Sequence, residues 1–228
     1  MFKPSCVVAF GVLAVVILSG CSGTSHPVAP KTLNQTTSSS ASTVARPSPS
    51  PSPSTNVVPV DQIPPGNPES WVPAGVPTKG PFQETGDEVP KFTRPMFEDT
   101  ELGARRMADY YQQAENWAAA LGEDPIPYLI VCDAKVCARN ASKARQQRSL
   151  GRHLIRGRTS IVTGVTFPNP KSANADFIIQ RTLSVAAGKF VESSGKVIQQ
   201  ADKSELTINL YMKWNGKMWR VTEVFWVR

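Results

Sequence analysis

Hydrophobic positions fall into three regimes along this chain of 228 residues. The first is an unbroken apolar run. Lys3 supplies one positive charge, and from Cys6 to Leu18 no residue is charged. One cation followed by an apolar stretch is the layout of an export signal. The run is short for a bilayer span, which needs roughly 20 apolar residues. The second regime, residues 21–68, holds few large apolar side chains and is dominated by Ser, Thr and Pro. The third runs from about residue 98 to the end. It is periodic, first at helical and then at strand spacing.

Leu102, Met107, Tyr110, Ala114, Trp117, Ala118 and Leu121 form a stripe of near-helical spacing. The pattern predicts a helix from Glu101 to Leu121, with Thr100 as N-cap and Gly122 as its end. Pro125 and Pro127 mark a turn, and Tyr128 to Val131 is a short apolar segment. A second helix is predicted from Cys137 to Leu150, stopped by Gly151. Strands follow at Thr159 to Phe167 and Phe177 to Val185. Ser193-Ser194-Gly195 reads as a turn before Lys196-Val197-Ile198. Leu206 to Trp214 alternates, Asn215-Gly216 is a hairpin turn, and Met218 to Val227 returns. Helices followed by an antiparallel meander is an α+β order.

The empty second regime has its own physics. Arg46-Pro47 leads into alternating Ser-Pro through Ser54. Proline lacks the N–H a helix needs and pushes the preceding residue to extended geometry. With little to bury, the segment does not offset its ordering entropy. A disordered, semi-rigid tether over residues 21–68 is the expectation, at about 3 Å per residue where polyproline II forms. Such stalks can carry O-linked sugars. Residues 69–97 are a Pro-rich lead-in in which Trp71, Val72, Val76, Phe82, Val89 and Phe92 are candidates to pack as an extended arm. The folded domain is expected at 98–228, long enough for a real core.

Cys132 and Cys137 are the only cysteines beyond residue 21. In an exported chain this C-x4-C pair predicts a structural disulfide joining two helical elements. Free thiols and a metal or redox site are the alternatives. The only histidines are His26 and His153, so no Cys2His2 set forms. No metal and no cofactor are expected.

Two resemblances follow from these residues. Leu18-Ser19-Gly20-Cys21 at the end of the apolar run resembles the lipobox of bacterial lipoproteins. That implies a signal peptide over residues 1–20, cleavage before Cys21, and lipidation of Cys21 (diacylglyceryl, palmitate-type chains). The protein would then sit on the outer face of the cytoplasmic membrane, facing away from the cytoplasm. An uncleaved transmembrane anchor and an ordinary secretory signal are the alternatives. Two acyl chains give stable anchoring where one does not. The second resemblance rests on Gly103, Tyr110-Tyr111, Asn116-Trp117-Ala118, Leu121 to Asp124, the Cys132/Cys137 pair, Gly151, Gly157 and Asn215 to Val221. Over residues 98–228 these resemble an uncharacterised family of actinobacterial lipoproteins and, more loosely, the nuclear transport factor 2-like (SnoaL-like) superfamily. The resemblance implies helices packed on a curved, cone-shaped antiparallel sheet of cystatin-like form. It also implies homodimers through the sheet as one assembly.

Charge adds a surface. The net charge is +7, and Lys135, Arg139, Lys143, Arg145, Arg148, Arg152, Arg156 and Arg158 run with no Asp or Glu between them. Such a basic face attracts polyanions. Outside a cell these are anionic wall polymers or lipid head groups, and export argues against nucleic acid. A solvated face with no ligand is the plainer reading. No catalytic constellation is recognisable. Asp109, Tyr110, Tyr111, Tyr128 and His153 are the residue types of an isomerase or cyclase, but no spacing ties them together. Two functions therefore remain. One is a non-catalytic binding or accessory module of the envelope, meeting an anionic polymer or a partner protein. The alternative is a cone-pocket enzyme acting on a small hydrophobic substrate.

Overall fold

The computed structural model describes residues 63–169 and 174–227. The export segment, Cys21 and the tether through residue 62 lie outside the described residues. Helix α1 spans Glu101–Ala120. Thr100 caps it: its side-chain oxygen accepts from the Gly103 N–H at 3.1 Å. Gly122, at φ 73°, turns the chain out of the helix. Leu102 departs from the predicted stripe and is 50% exposed. The buried face instead runs through Gly103, Ala104, Met107, Tyr110, Ala114 and Trp117.

The segment read as a turn and an apolar stretch is a short helix, α2 (Ile126–Leu129). Its single turn needs no periodic signal. Helix α3 covers Lys135–Ser149, starting two residues before the predicted Cys137. The Cys132–Cys137 disulfide joins the chain after α2 to the first turn of α3.

Seven more strands follow the pair that lies before α1: β3 (His153–Arg156), β4 (Thr159–Pro168), β5 (Phe177–Val185), β6 (Gly188–Val191), β7 (Val197–Ala201), β8 (Ser204–Trp214) and β9 (Trp219–Val227). They do not form one meander. β4, β5, β8 and β9 make a four-stranded antiparallel sheet in that order, and β3, β6 and β7 make a separate three-stranded one. The fold is thus α+β, with few helices and antiparallel sheets. β3 and β6 were absent from the sequence pattern. Each is four residues long and pairs with the other, His153 opposite Val191. Such a pairing, made across more than 30 residues of chain, leaves no local trace.

Helix α1 packs against β4, β5, β8 and β9. Alternation on the sheet sends Ile179 and Leu183 of β5 and Ile208, Leu210 and Met212 of β8 into the core. They meet Met107, Tyr110 and Trp117 of α1 in one apolar cluster. Trp219 is fully buried, and its indole N–H donates to the Glu98 carbonyl at 2.8 Å. Gly103 permits that closeness. A Cβ there would collide with the carbonyls of Pro95 and Glu98 and stand 2.8 Å from the Trp219 nitrogen.

Residues ahead of α1 pack on the same core. β1 (Ser70–Trp71) pairs with β2 (Phe92–Thr93). Phe92 is fully buried and lies 4.7 Å from the Tyr110 ring. The Trp117 indole donates to the Pro77 carbonyl at 2.9 Å, and the Phe82 N–H donates to the Ala120 carbonyl at 3.0 Å. Phe82 stacks on His153 with ring centres 3.7 Å apart. The arm therefore crosses α1, meets the corner between β3 and β4 through Phe82, and returns through β2 to the start of α1.

Candidate functional site

Two of the concavities beside α1 bring charged side chains together. The wider lies between α1 and the edge strand β4 and measures about 450 Å³. Lys91, Arg105, Arg106 and Arg181 line it, with Asp109 as the single carboxylate. Arg181 is buried and donates to Asp109 at 2.8 Å. Gly164 on β4 leaves room for it, since a Cβ there would strike the guanidinium. Lys91, Arg105 and Arg106 are exposed and have no acidic partner among the described residues. Ile161 and Val162 of β4 add an apolar wall.

The narrower concavity lies at the C-terminal end of α1. Glu115, Asn116 and Ala119 of α1 face Leu154, Val185, Ala186 and Phe190 across it, with Glu123 and Arg158 also on its wall. Its volume is about 30 Å³, room for a water-sized group. Counted with its open mouth the space reaches about 540 Å³. Glu115 is buried. One of its oxygens accepts from the Tyr111 hydroxyl at 2.8 Å and the other from the Gln112 amide at 3.4 Å. Gln112 also bonds the Thr159 hydroxyl, and Asn116 bonds the Thr159 backbone at both N–H and C=O. These bonds fix the start of β4 against α1.

Glu123 is only 1% exposed, and neither of its oxygens has a hydrogen-bond partner among the described residues. Its backbone is left-handed, φ 63°, a conformation costly to a side chain with a Cβ. Burial pushes both carboxyls up to about 7: for Glu115 the Tyr111 and Gln112 bonds oppose it, for Glu123 the charge of Arg158 does. Arg158 nevertheless does not bond Glu123. Its Nε and Nη2 donate to the two oxygens of Asp87, each at 3.0 Å, and Nη1 donates to the Arg156 carbonyl at 3.1 Å.

The structure places the residues singled out from the sequence as follows. The run of cations on and after α3 is not free of acids in space. Arg148 pairs with Asp124, Arg152 with Glu192 at 3.3 Å, and Arg158 with Asp87. All three partners lie outside the run in sequence, so the expected continuous basic face is partly neutralised. Lys135, Arg139, Lys143 and Arg145 stay on α3 without an acidic partner among the described residues. Arg156 is exposed on β3, and its N–H donates to Glu84 at 2.6 Å.

The catalytic residue types do not converge. Asp109 is tied to Arg181. The Tyr110 hydroxyl donates to the Pro127 carbonyl at 3.2 Å. Tyr111 serves Glu115, Tyr128 lies buried near both glutamates, and His153 sits under Phe82 with its pKa lowered by burial. The sequence reading missed Glu115 and Glu123. A signal for Glu115 existed: it stands one turn after Tyr111 and beside Ala114, on the apolar side of α1. Among the described residues no cluster of three or more His, Cys, Asp or Glu could hold a metal, and no helix is long and apolar enough to cross a membrane.

These features define an α+β domain with a cationic groove and a small acidic cavity. No protein-family model and no curated protein sequence matches the chain. Among solved structures it is similar to the intermembrane-space region of the chloroplast protein ARC6, at 13% identity and a TM-score of 0.43, over 57% of this chain and 98% of that one.

Proposed function

We propose that this protein is a lipid-anchored, non-catalytic binding module of the cell envelope, held at the outer face of the cytoplasmic membrane through Cys21. Its groove between α1 and β4 holds an anionic wall polymer. The carrying observation is the groove itself, a concavity of about 450 Å³ with four cations and one carboxylate on its walls. A concave site gathers field from several cations at once, whereas the free cations of α3 lie along one exposed helix face. Leu18-Ser19-Gly20-Cys21 supports the anchor, and the Ser-Pro run supports reach into the wall. The packing of α1 across all four strands of the main sheet supports the cone-shaped fold of the nuclear transport factor 2-like superfamily. The enzyme alternative is less well supported. Its residues are dispersed, and the enclosed acidic cavity of about 30 Å³ is far below the few hundred Å³ a small-molecule substrate needs.

The test is sedimentation of the full-length lipoprotein, in detergent, with purified cell wall across a salt series. Binding falls as salt rises. Arg105→Glu with Arg106→Glu abolishes retention, while Arg139→Glu with Arg145→Glu leaves most of it. The reverse ranking sinks the groove as the site. Retention on anionic vesicles but not on wall moves the ligand to a lipid head group. For the anchor, Cys21→Ala shifts the protein from the membrane fraction to the soluble one.

A further inference from the structure

The cavity at the C-terminal end of α1 holds a carboxyl without a hydrogen-bond partner among the described residues. Glu123 combines near-complete burial, two unpartnered oxygens and a left-handed backbone. A buried carboxylate that lacks partners is costly to the fold, because desolvation disfavours its charged form. Asparagine or glycine would suit the backbone better and carry no charge. The natural counterion is present and is withheld. Arg158 lines the same cavity, but Asp87 and two carbonyls occupy its nitrogens. Glu115 adds a second carboxyl on the wall, already oriented by Tyr111. The enclosed space of about 30 Å³ admits a water-sized group and little more. Leu154, Val185, Ala186 and Phe190 give it an apolar wall.

We propose that this cavity is a binding site for the primary ammonium head of an aliphatic amine. The ammonium enters the cavity and donates to Glu123 and Glu115, and the methylene stem lies along the apolar wall. A primary ammonium is the size of a water molecule and offers three donors. A hydroxyl fits the space and lacks the charge, and a quaternary ammonium carries the charge and exceeds the space. This site is separate from the cationic groove and repels what the groove attracts.

The experiment is calorimetric titration of the full-length protein, in detergent, with n-pentylamine, n-pentanol and trimethylpentylammonium. Pentylamine binds, and the other two bind at least about tenfold more weakly, the scale of a charged hydrogen bond in a desolvated site. Glu123→Gln weakens pentylamine by a similar factor. Ala186→Trp, an exposed substitution at the mouth, blocks it without altering any charge, so the result does not depend on how the glutamine variant folds. Equal affinity for all three compounds, an unchanged Glu123→Gln, or no pentylamine binding at millimolar concentration each overturns the proposal.

Discussion

Replacing Glu123 with glutamine should stabilise this protein increasingly as pH rises above about 4.5, with the full effect from about pH 7. The folded state holds the Glu123 carboxyl at about 7, against an ordinary value of 4.5. A tenfold weakening of an acid corresponds to about 1.4 kcal/mol, so the ionised side chain costs the folded state about 3 kcal/mol. Between the two values the folded chain binds more protons than the unfolded one. Stability therefore declines as pH rises from about 4.5 to about 7 and is level on either side. Below that window the carboxyl is neutral in both states, and glutamine mimics it. Above the window glutamine removes the whole penalty. Urea unfolding from about pH 4.5 to about pH 8 reads the effect directly. The two proteins should coincide at the acid end. At the alkaline end the variant should gain about 3 kcal/mol, a midpoint shift of about 1.5 M for a slope near 2 kcal/mol/M. Parallel curves, or a variant weaker at pH 8, would refute the placing of an unpartnered carboxyl in this cavity. Glu115 titrates over the same window, so the variant keeps a residual decline of its own.

Further outcomes follow from other contacts. Gly103→Ala forces a Cβ into the Pro95 and Glu98 carbonyls; thermal unfolding should show a loss of about 1–3 kcal/mol. Replacing both Cys132 and Cys137 with Ala removes a cross-link between residues five apart in sequence, and should cost about 2 kcal/mol in denaturant unfolding. Asp87→Ala strands the largely buried Arg158. The expected loss is about 3 kcal/mol, and reversing it with Arg158→Leu would show that the uncompensated cation is the cause.

Much of the backbone was legible. Helix α1, its Thr100 cap and β5 match their patterns, because each writes its period over nine residues or more. The hairpin of β8 and β9 was legible from Asn215-Gly216, a local turn signal. What escaped depends on pairing across long stretches of chain. β3 lies in a run of arginines that carries no strand pattern, and only β6, more than 30 residues on, makes it a strand. The basic face lost cations to Asp87, Asp124 and Glu192 for the same reason. Glu123 was visible only as a residue after a helix end. Its burial is imposed by the β3–β4 corner and by the arm, neither of which marks the sequence near residue 123. A charged side chain defaults to the surface, and no local pattern says otherwise.

The arm that precedes α1 has a mechanical consequence. A pull on the chain ahead of residue 63 reaches its contacts one after another. The two-residue ladder of β1 and β2 is loaded first. Next come the Pro77–Trp117 and Phe82–Ala120 hydrogen bonds, and last the Asp87–Arg158 pair. The last of these holds Arg158, which the Arg156 and Phe82 carbonyls also bind. The leading segment is thereby tied, through Asp87, to an arginine on the wall of the cavity.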